Sequence, residues 1–162
     1  MESTYFMGSN LINILLLYMN NYFFRNICID DFNKGHINLL KQLSYLDFEN
    51  IPFMEYKNFI NNLNNNHQII VLEFDNKIIG TGTILIEKKI IHNFGLVAHI
   101  EDVVIDHNFR GNNFGKKLIY ELIKIAKDNN CYKIILDCNQ DNINFYEKCG
   151  FKHKEYEMVL YL

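Results

Sequence analysis

"HIEDVVIDHNFRGNNFGKKL", residues 99–118, sets two adjacent acids in a β-branched run, then passes through a glycine-punctuated basic loop into a helix. The run 98–105 has strand composition, and 115–130 changes to helical spacing through Leu118, Leu122, Ile125 and Ala126. A strand, a loop whose glycines let backbone approach closely, and a helix start with free N–H groups together make an anion site. The loop is not one for a nucleoside triphosphate. Only three residues separate Gly111 from Gly115, and Lys117 follows Lys116 where Ser or Thr would be needed. A dinucleotide fingerprint fails as well, because no βαβ unit with an acid at the required place follows.

Working outward, "YKIILDC" (132–138) can lie parallel to 98–105 after a right-handed crossover through the helix. Upstream, "QIIVLEF" (68–74) and "KIIGTGTILIEKK" (77–89) flank Asp75-Asn76, a two-residue turn that predicts an antiparallel hairpin. "YFFRNICI" (22–29) supplies a first strand. A helix is predicted over 30–46 with Ile37, Leu40, Leu43 and Leu46 on one side, and another over 53–64 burying Phe53, Tyr56, Phe59, Ile60 and Leu63. A short helix over 142–151, stopped by Gly150, and a last strand "YEMVLYL" (156–162) complete the order. The expected class is α/β (α+β), a central mixed β-sheet with helices on both faces.

The 162 residues, 49% of them hydrophobic, suit one domain with a single core. A net charge of -3 argues against binding dominated by nucleic-acid phosphates. Cys28, Cys131, Cys138 and Cys149 have no metal-ligand spacing and read as reduced, mostly packed thiols, so no metal and a cytoplasmic address are expected. "LINILLLYM" (11–19) is too short to span a bilayer and lacks a preceding basic residue, so 1–21 is read as a leader, disordered or an extra helix, before a single domain over 22–162.

Arg110-Gly111-Asn112-Asn113-Phe114-Gly115 resembles the pyrophosphate loop of the GNAT superfamily of acetyl-CoA-dependent N-acetyltransferases, with Asn113 where glycine is commonest. Asn is the non-glycine residue that best tolerates positive φ, so the loop can still close around phosphate. With "IIEKKIIHNFGLVAHIEDVV", "CYKIILDC" and "NFYEKCGF", the likeness narrows to the glucosamine 6-phosphate N-acetyltransferases and covers roughly residues 22–160. It implies the GNAT fold with a splayed parallel strand pair, and direct acetyl transfer to the amine of glucosamine 6-phosphate. It also implies a place in amino-sugar nucleotide synthesis, and a homodimer whose acceptor site lies at the interface. Another amine as acceptor, or a non-catalytic acetyl-CoA-binding module, remains the alternative.

Carried over residue by residue, the resemblance makes Glu101 the general base, directly or through water, a role typically worth about 10²–10⁴-fold in rate. Asp137 orients the amine, and Tyr146 protonates the departing thiolate. Val103, Val104 and Ile105 line the pantetheine gap, with a backbone N–H near Val103 as oxyanion donor. Arg110 to Gly115 and Lys116 hold the pyrophosphate, and Cys138, Asn139, Asn142 and Tyr146 border the coenzyme. Lys89, His92, Tyr132 and Lys133 receive the sugar phosphate, with Ser44 near it, while Asp102 is a sugar-hydroxyl contact or a structural acceptor. Tyr161 stands where some relatives carry a basic phosphate ligand. Simple alternation puts Glu101 on the face of His99 and Val103, and Asp102 on that of Ile100 and Val104. Cys138, expected at a buried strand end with no paired histidine, is not read as a nucleophile.

Overall fold

The computed structural model describes residues 21–44 and 51–162. Five strands, β1 (Tyr22–Asn26), β2 (His67–Phe74), β3 (Lys77–Lys88), β4 (Leu96–Ile105) and β5 (Cys131–Ile135), form one sheet in the order β1-β2-β3-β4-β5. Every neighbouring pair is antiparallel except β4 and β5, which run parallel. Asp75 and Asn76 both take positive φ, 47° and 59°, as a two-residue hairpin requires. The predicted mixed sheet is therefore present, and its hairpin is made by the residues expected to make it.

Among the described residues, four helices divide between the two faces, apart from a short left-handed turn at Ile91–Phe94. α1 (His36–Leu40) and α2 (Phe53–Asn61) lie on one side; α3 (Phe114–Asp128) lies on the other, followed by α4 (Ile143–Lys148). β2 shows how one strand serves both: Ile69 and Val71 pack with Leu39 and Tyr56, while Ile70, Leu72 and Phe74 pack with Leu118, Ile119 and Leu122. α3 buries Phe114, Leu118, Ile119, Leu122 and Ala126 along one stripe. Leu122 sits so close to the sheet that a Cβ on Gly82 would come within 3.0 Å of it.

Two helical expectations change. In place of one helix from 30, a 3₁₀ turn at Ile29–Phe32 precedes α1, and Gly35 between them has φ 86°. The turn is fixed by Asp31, fully buried beside the β1 residue Arg25 and accepting the Cys28 N–H at 2.8 Å. Leu39, rather than Leu43, is the buried leucine here, and Leu46 lies outside the described residues. On α2 only Tyr56 is fully buried; Ile60 and Leu63 pack at the margin, and Phe53 and Phe59 are exposed because the short helix touches the sheet along a narrower stripe than its apolar spacing suggested.

No strand forms over 156–162. Tyr156, Met158, Leu160 and Tyr161 are exposed, because β-prone side chains make a strand only on a ladder, and this segment pairs with neither edge of the sheet.

Charge is concentrated in the other layer. The Arg25 guanidinium donates to Asp31 at 2.7 Å and to Glu73 at 3.0 Å, and Lys34 completes the group by an ion pair to Glu73 at 2.7 Å. Beneath them buried His36 places Nε2 3.2 Å from the Thr81 hydroxyl and Nδ1 3.3 Å from that of Tyr56. Burial pushes the imidazole down to about 4, with Asp31 opposing, so it is neutral at pH 7.

Candidate active site

The decisive geometry is where β4 and β5 part. Their parallel ladder runs from Leu96↔Cys131 to His99↔Ile135 and stops, leaving Val103–Ile105 bonded on the β3 side alone. Glu101, still on β4, and Asp137, just past the end of β5, each stand two residues beyond that last rung. They are near enough that Asp137, after burial and ahead of Asp102, raises Glu101 above the usual carboxylate range.

A β-bulge produces the departure. Thr83 pairs with Glu101 and Thr81 with Val104, so Gly82 alone faces both Asp102 and Val103, and Asp102 takes a φ of 51°. The extra residue breaks simple alternation. Val103 joins Ile100 and Ile105 in the cluster under α3, and Val104 turns to the α1 and α2 side. Glu101, upstream of the bulge, keeps the face of His99, but Val103 does not share it; Asp102 is exposed at the bulge itself.

α4 closes the fork from the end. The half-buried Tyr146 packs its ring 5.0 Å from Phe145 and 6.0 Å from Phe151. Burial, then the neighbouring Cys138, Cys149 and Glu101, push its hydroxyl up to about 12, so it carries its proton at pH 7. Glu101, Asp137 and Tyr146, 45 residues apart at their extremes in sequence, are thus brought together. Cys138 borders the same space but is exposed rather than buried, since β5 ends at Ile135; burial and Asp137 raise its thiol, which disfavours the thiolate. Asn139 caps the 3₁₀ turn Gln140–Asn142, and Asn142 caps α4, both at the mouth of the fork.

The loop beyond β4 has the conformation an anion needs. Gly111 has φ 80° with open space where a Cβ would be, and Asn113, the N-cap of α3, takes φ 60° and ψ 10°. The N–H groups at the head of a 15-residue helix therefore open onto the loop. Arg110 turns back, donating Nε–H to the Ile105 carbonyl at 3.1 Å, and the Asn112 amide caps the Phe109 and Arg110 carbonyls, so these side chains brace the loop. Phe114 is buried, which leaves its backbone alone for a ligand; Gly115 lies against Phe145, and Lys116 leans over Tyr120 at 5.5 Å. The residues fit a pyrophosphate at the helix and an extended amide chain along the unpaired edge of β4.

The cationic residues form two sets. Lys89 pairs with Glu87, whose other carboxylate oxygen is 3.0 Å from His99 Nε2. His92 stacks on Tyr132 with centroids 4.5 Å apart, and Lys133 stands 5.9 Å from the same ring. The second set lies beside Leu96, five residues of strand or roughly 16 Å from Glu101. It is shaped by a turn whose His92, Asn93 and Phe94 all have positive φ, and which leaves Ile90, Ile91 and Phe94 exposed. Ser44 joins neither set: it follows the end of α1, which docks through Gln42 on His107. His99 carried no role in the sequence reading, although its place two before Glu101 on one strand face was a signal for one.

Among the described residues no group of His, Cys, Asp and Glu is arranged to hold a metal ion, and no helix is long and apolar enough to cross a membrane.

Against known proteins, residues 28–151 match the profile of the Acetyltransferase (GNAT) family. The chain is 43% identical over 141 residues to glucosamine 6-phosphate N-acetyltransferase 1 of Dictyostelium discoideum, covering 86% of this chain and 90% of that one. Against glucosamine 6-phosphate N-acetyltransferase of Candida albicans it is 36% identical, covering 85% and 94%. The crystal structure of glucosamine-6-phosphate N-acetyltransferase from Arabidopsis thaliana superposes with a TM-score of 0.83 at 39% identity, covering 88% of this chain and 99% of that one.

Proposed function

Because the chain belongs to the GNAT acetyltransferase family, and within it to the glucosamine 6-phosphate N-acetyltransferases, we propose that it transfers the acetyl group of acetyl-CoA to the amine of D-glucosamine 6-phosphate, giving N-acetyl-D-glucosamine 6-phosphate and CoA. The observation that carries the reading is the meeting of Glu101, Asp137 and Tyr146 where the β4–β5 ladder ends. Acetyl-CoA supplies an activated thioester; everything else falls to the chain.

An ammonium has no lone pair to attack with, so a proton must leave it first. Glu101, raised above the usual carboxylate range, is suited to take that proton directly or through water, and Asp137 to align the amine beside it. Attack on the thioester carbon places negative charge on oxygen, which a backbone N–H near Val103, on the unpaired edge of β4, is positioned to receive. Collapse expels a thiolate, and the protonated Tyr146 is the donor available. The transfer is direct, since Cys138 lacks both a base and a low-lying thiolate.

Lys89, His92, Tyr132 and Lys133 give the acceptor side a cationic character suited to a sugar phosphate. The distance of the His92 set from Glu101 and the unpaired apolar tail 156–162 together support a homodimer in which one copy completes the other's acceptor site. The tail then finds its ladder on a second chain.

Purified protein with acetyl-CoA and a panel of amines, with free thiol followed over time, tests the reading. Glucosamine 6-phosphate is expected to be the preferred acceptor. Equal rates with unphosphorylated glucosamine would overturn the substrate assignment, and no thiol release with any amine would overturn the enzyme.

A further inference from the structure

The fork collects acids. Asp102 faces Glu101 from its own strand, Asp137 from beyond β5, and Glu157 from the carboxyl-terminal segment, while Tyr146 on α4 brings a neutral hydroxyl. These neighbours disfavour the charged form of Glu101, and a basic residue opposes them. His99 lies on the face of Glu101, two residues before it and ahead of the bulge, so their side chains project the same way from β4. It also forms the last parallel rung, opposite Ile135, at the point where the strands separate.

What holds His99 is on β3. Register pairs Leu85 with His99 and Glu87 with Val97, which makes Glu87 and His99 diagonal neighbours, and the imidazole Nε2 meets the Glu87 carboxylate at 3.0 Å. The same carboxylate accepts from Lys89 through its other oxygen. Glu87 therefore presents an acceptor that Lys89 alone does not saturate, and the imidazole occupies its second oxygen.

We propose that His99 is a positioning residue for Glu101: anchored by Glu87 and projecting from the same face of β4, its imidazole, cationic when protonated, favours the ionised form of the neighbouring carboxylate and directs it into the fork. This rests on the acetyltransferase reading for its catalytic meaning, but the electrostatic coupling itself can be observed without turnover. The direction of charge agrees, since His99 favours the charged form of Glu101 against Asp137 and Asp102.

Two readouts test it on the full chain. Carboxylate ¹³C NMR follows Glu101, assigned by the resonance missing in Glu101→Gln, and the acid limb of the kcat/KM profile follows the base in turnover. In His99→Gln both are expected to move to higher pH by about half to one unit, the size of one unit charge acting over several ångströms of partly wet protein. His99→Arg, a permanent cation, is expected to return both to the wild-type position or below. Glu87→Gln is expected to move them upward by less, because it removes only the anchor. An unmoved Glu101 titration in His99→Gln, or an equal upward move in His99→Arg, would overturn the proposal. Should His99→Gln fail to fold, Glu87→Gln and His99→Arg must still move in opposite directions, and movement in the same direction overturns it. Wild-type protein that leaves glucosamine 6-phosphate unacetylated while the Glu101 titration still responds would count against the substrate reading and leave the coupling standing.

Discussion

Asp31 and Glu101 are both acids set among other charges, and the fold treats them in opposite ways. Burial would raise Asp31, but the Arg25 guanidinium and the Cys28 N–H hold it below the usual range; burial raises Glu101, and Asp137 and Asp102 raise it further. Beside Asp31, Arg25 and Lys34 serve Glu73, and elsewhere Lys77 serves the buried Asp106 at 2.8 Å. Around Glu101 carboxylates gather, and His99 opposes them. Matched charge fixes the α1 side of the sheet, and mismatched charge disfavours the ionised form of Glu101 at the fork. On the proposed function, the same residue types are structural in one place and chemical in the other because of their neighbours.

That contrast can be broken from either side. The largest expected effect is on turnover: Glu101→Gln should lower kcat by about 10²–10⁴-fold. Its denaturation midpoint should stay unchanged or rise, because a like charge has been removed; urea unfolding beside steady-state kinetics checks both. Asp31→Ala should do the reverse. Leaving Arg25 facing a buried vacancy is expected to cost about 3–5 kcal/mol, with activity per folded molecule retained.

The two regions were not equally legible. The hairpin at Asp75-Asn76, the β4–loop–α3 run and the left-handed Asn113 follow from local chemistry, since a two-residue turn or a helix cap needs only its own neighbours in sequence. Glu101, Asp137 and Tyr146 were reached through family likeness, and their common location depends on a strand register that no local pattern encodes. The Arg25–Glu73 contact joins residues 48 apart, so neither side chain alone announces it. The bulge at Asp102 escaped because an acid in a β-branched run reads as one more alternating position. The tail 156–162 misled in the opposite sense: its composition is that of a strand, but a ladder also needs a partner, and the segment pairs with neither edge of the sheet.

A third prediction sharpens the contrast through pH. His36 is held down to about 4 from an ordinary 6.5, so the folded protein resists its protonation while the unfolded chain does not. Its contribution is complete above about pH 6.5 and is lost as pH falls toward 4, up to about 3 kcal/mol at roughly 1.4 kcal/mol per unit. Stability measured across that window should slope downward with acid in the wild type and lose that part of the slope in His36→Gln. The smallest effect belongs to the loop. Asn113→Gly should change stability by less than about 1 kcal/mol and keep coenzyme affinity, whereas a β-branched Asn113→Val should weaken CoA binding measured by calorimetry.

The bulge has a last implication, visible by counting. Upstream of Asp102 the even positions Ala98 and Ile100 turn toward α3; downstream the odd positions Val103 and Ile105 do. Asp102 is where parity changes, so it is a surplus residue: a chain lacking it would return every apolar side chain of β4 to its present side by plain alternation. Such a protein should fold, with β4 running straight alongside β5. It would have lost the bend that opens a space between them, and with that space any place for a thioester to lie.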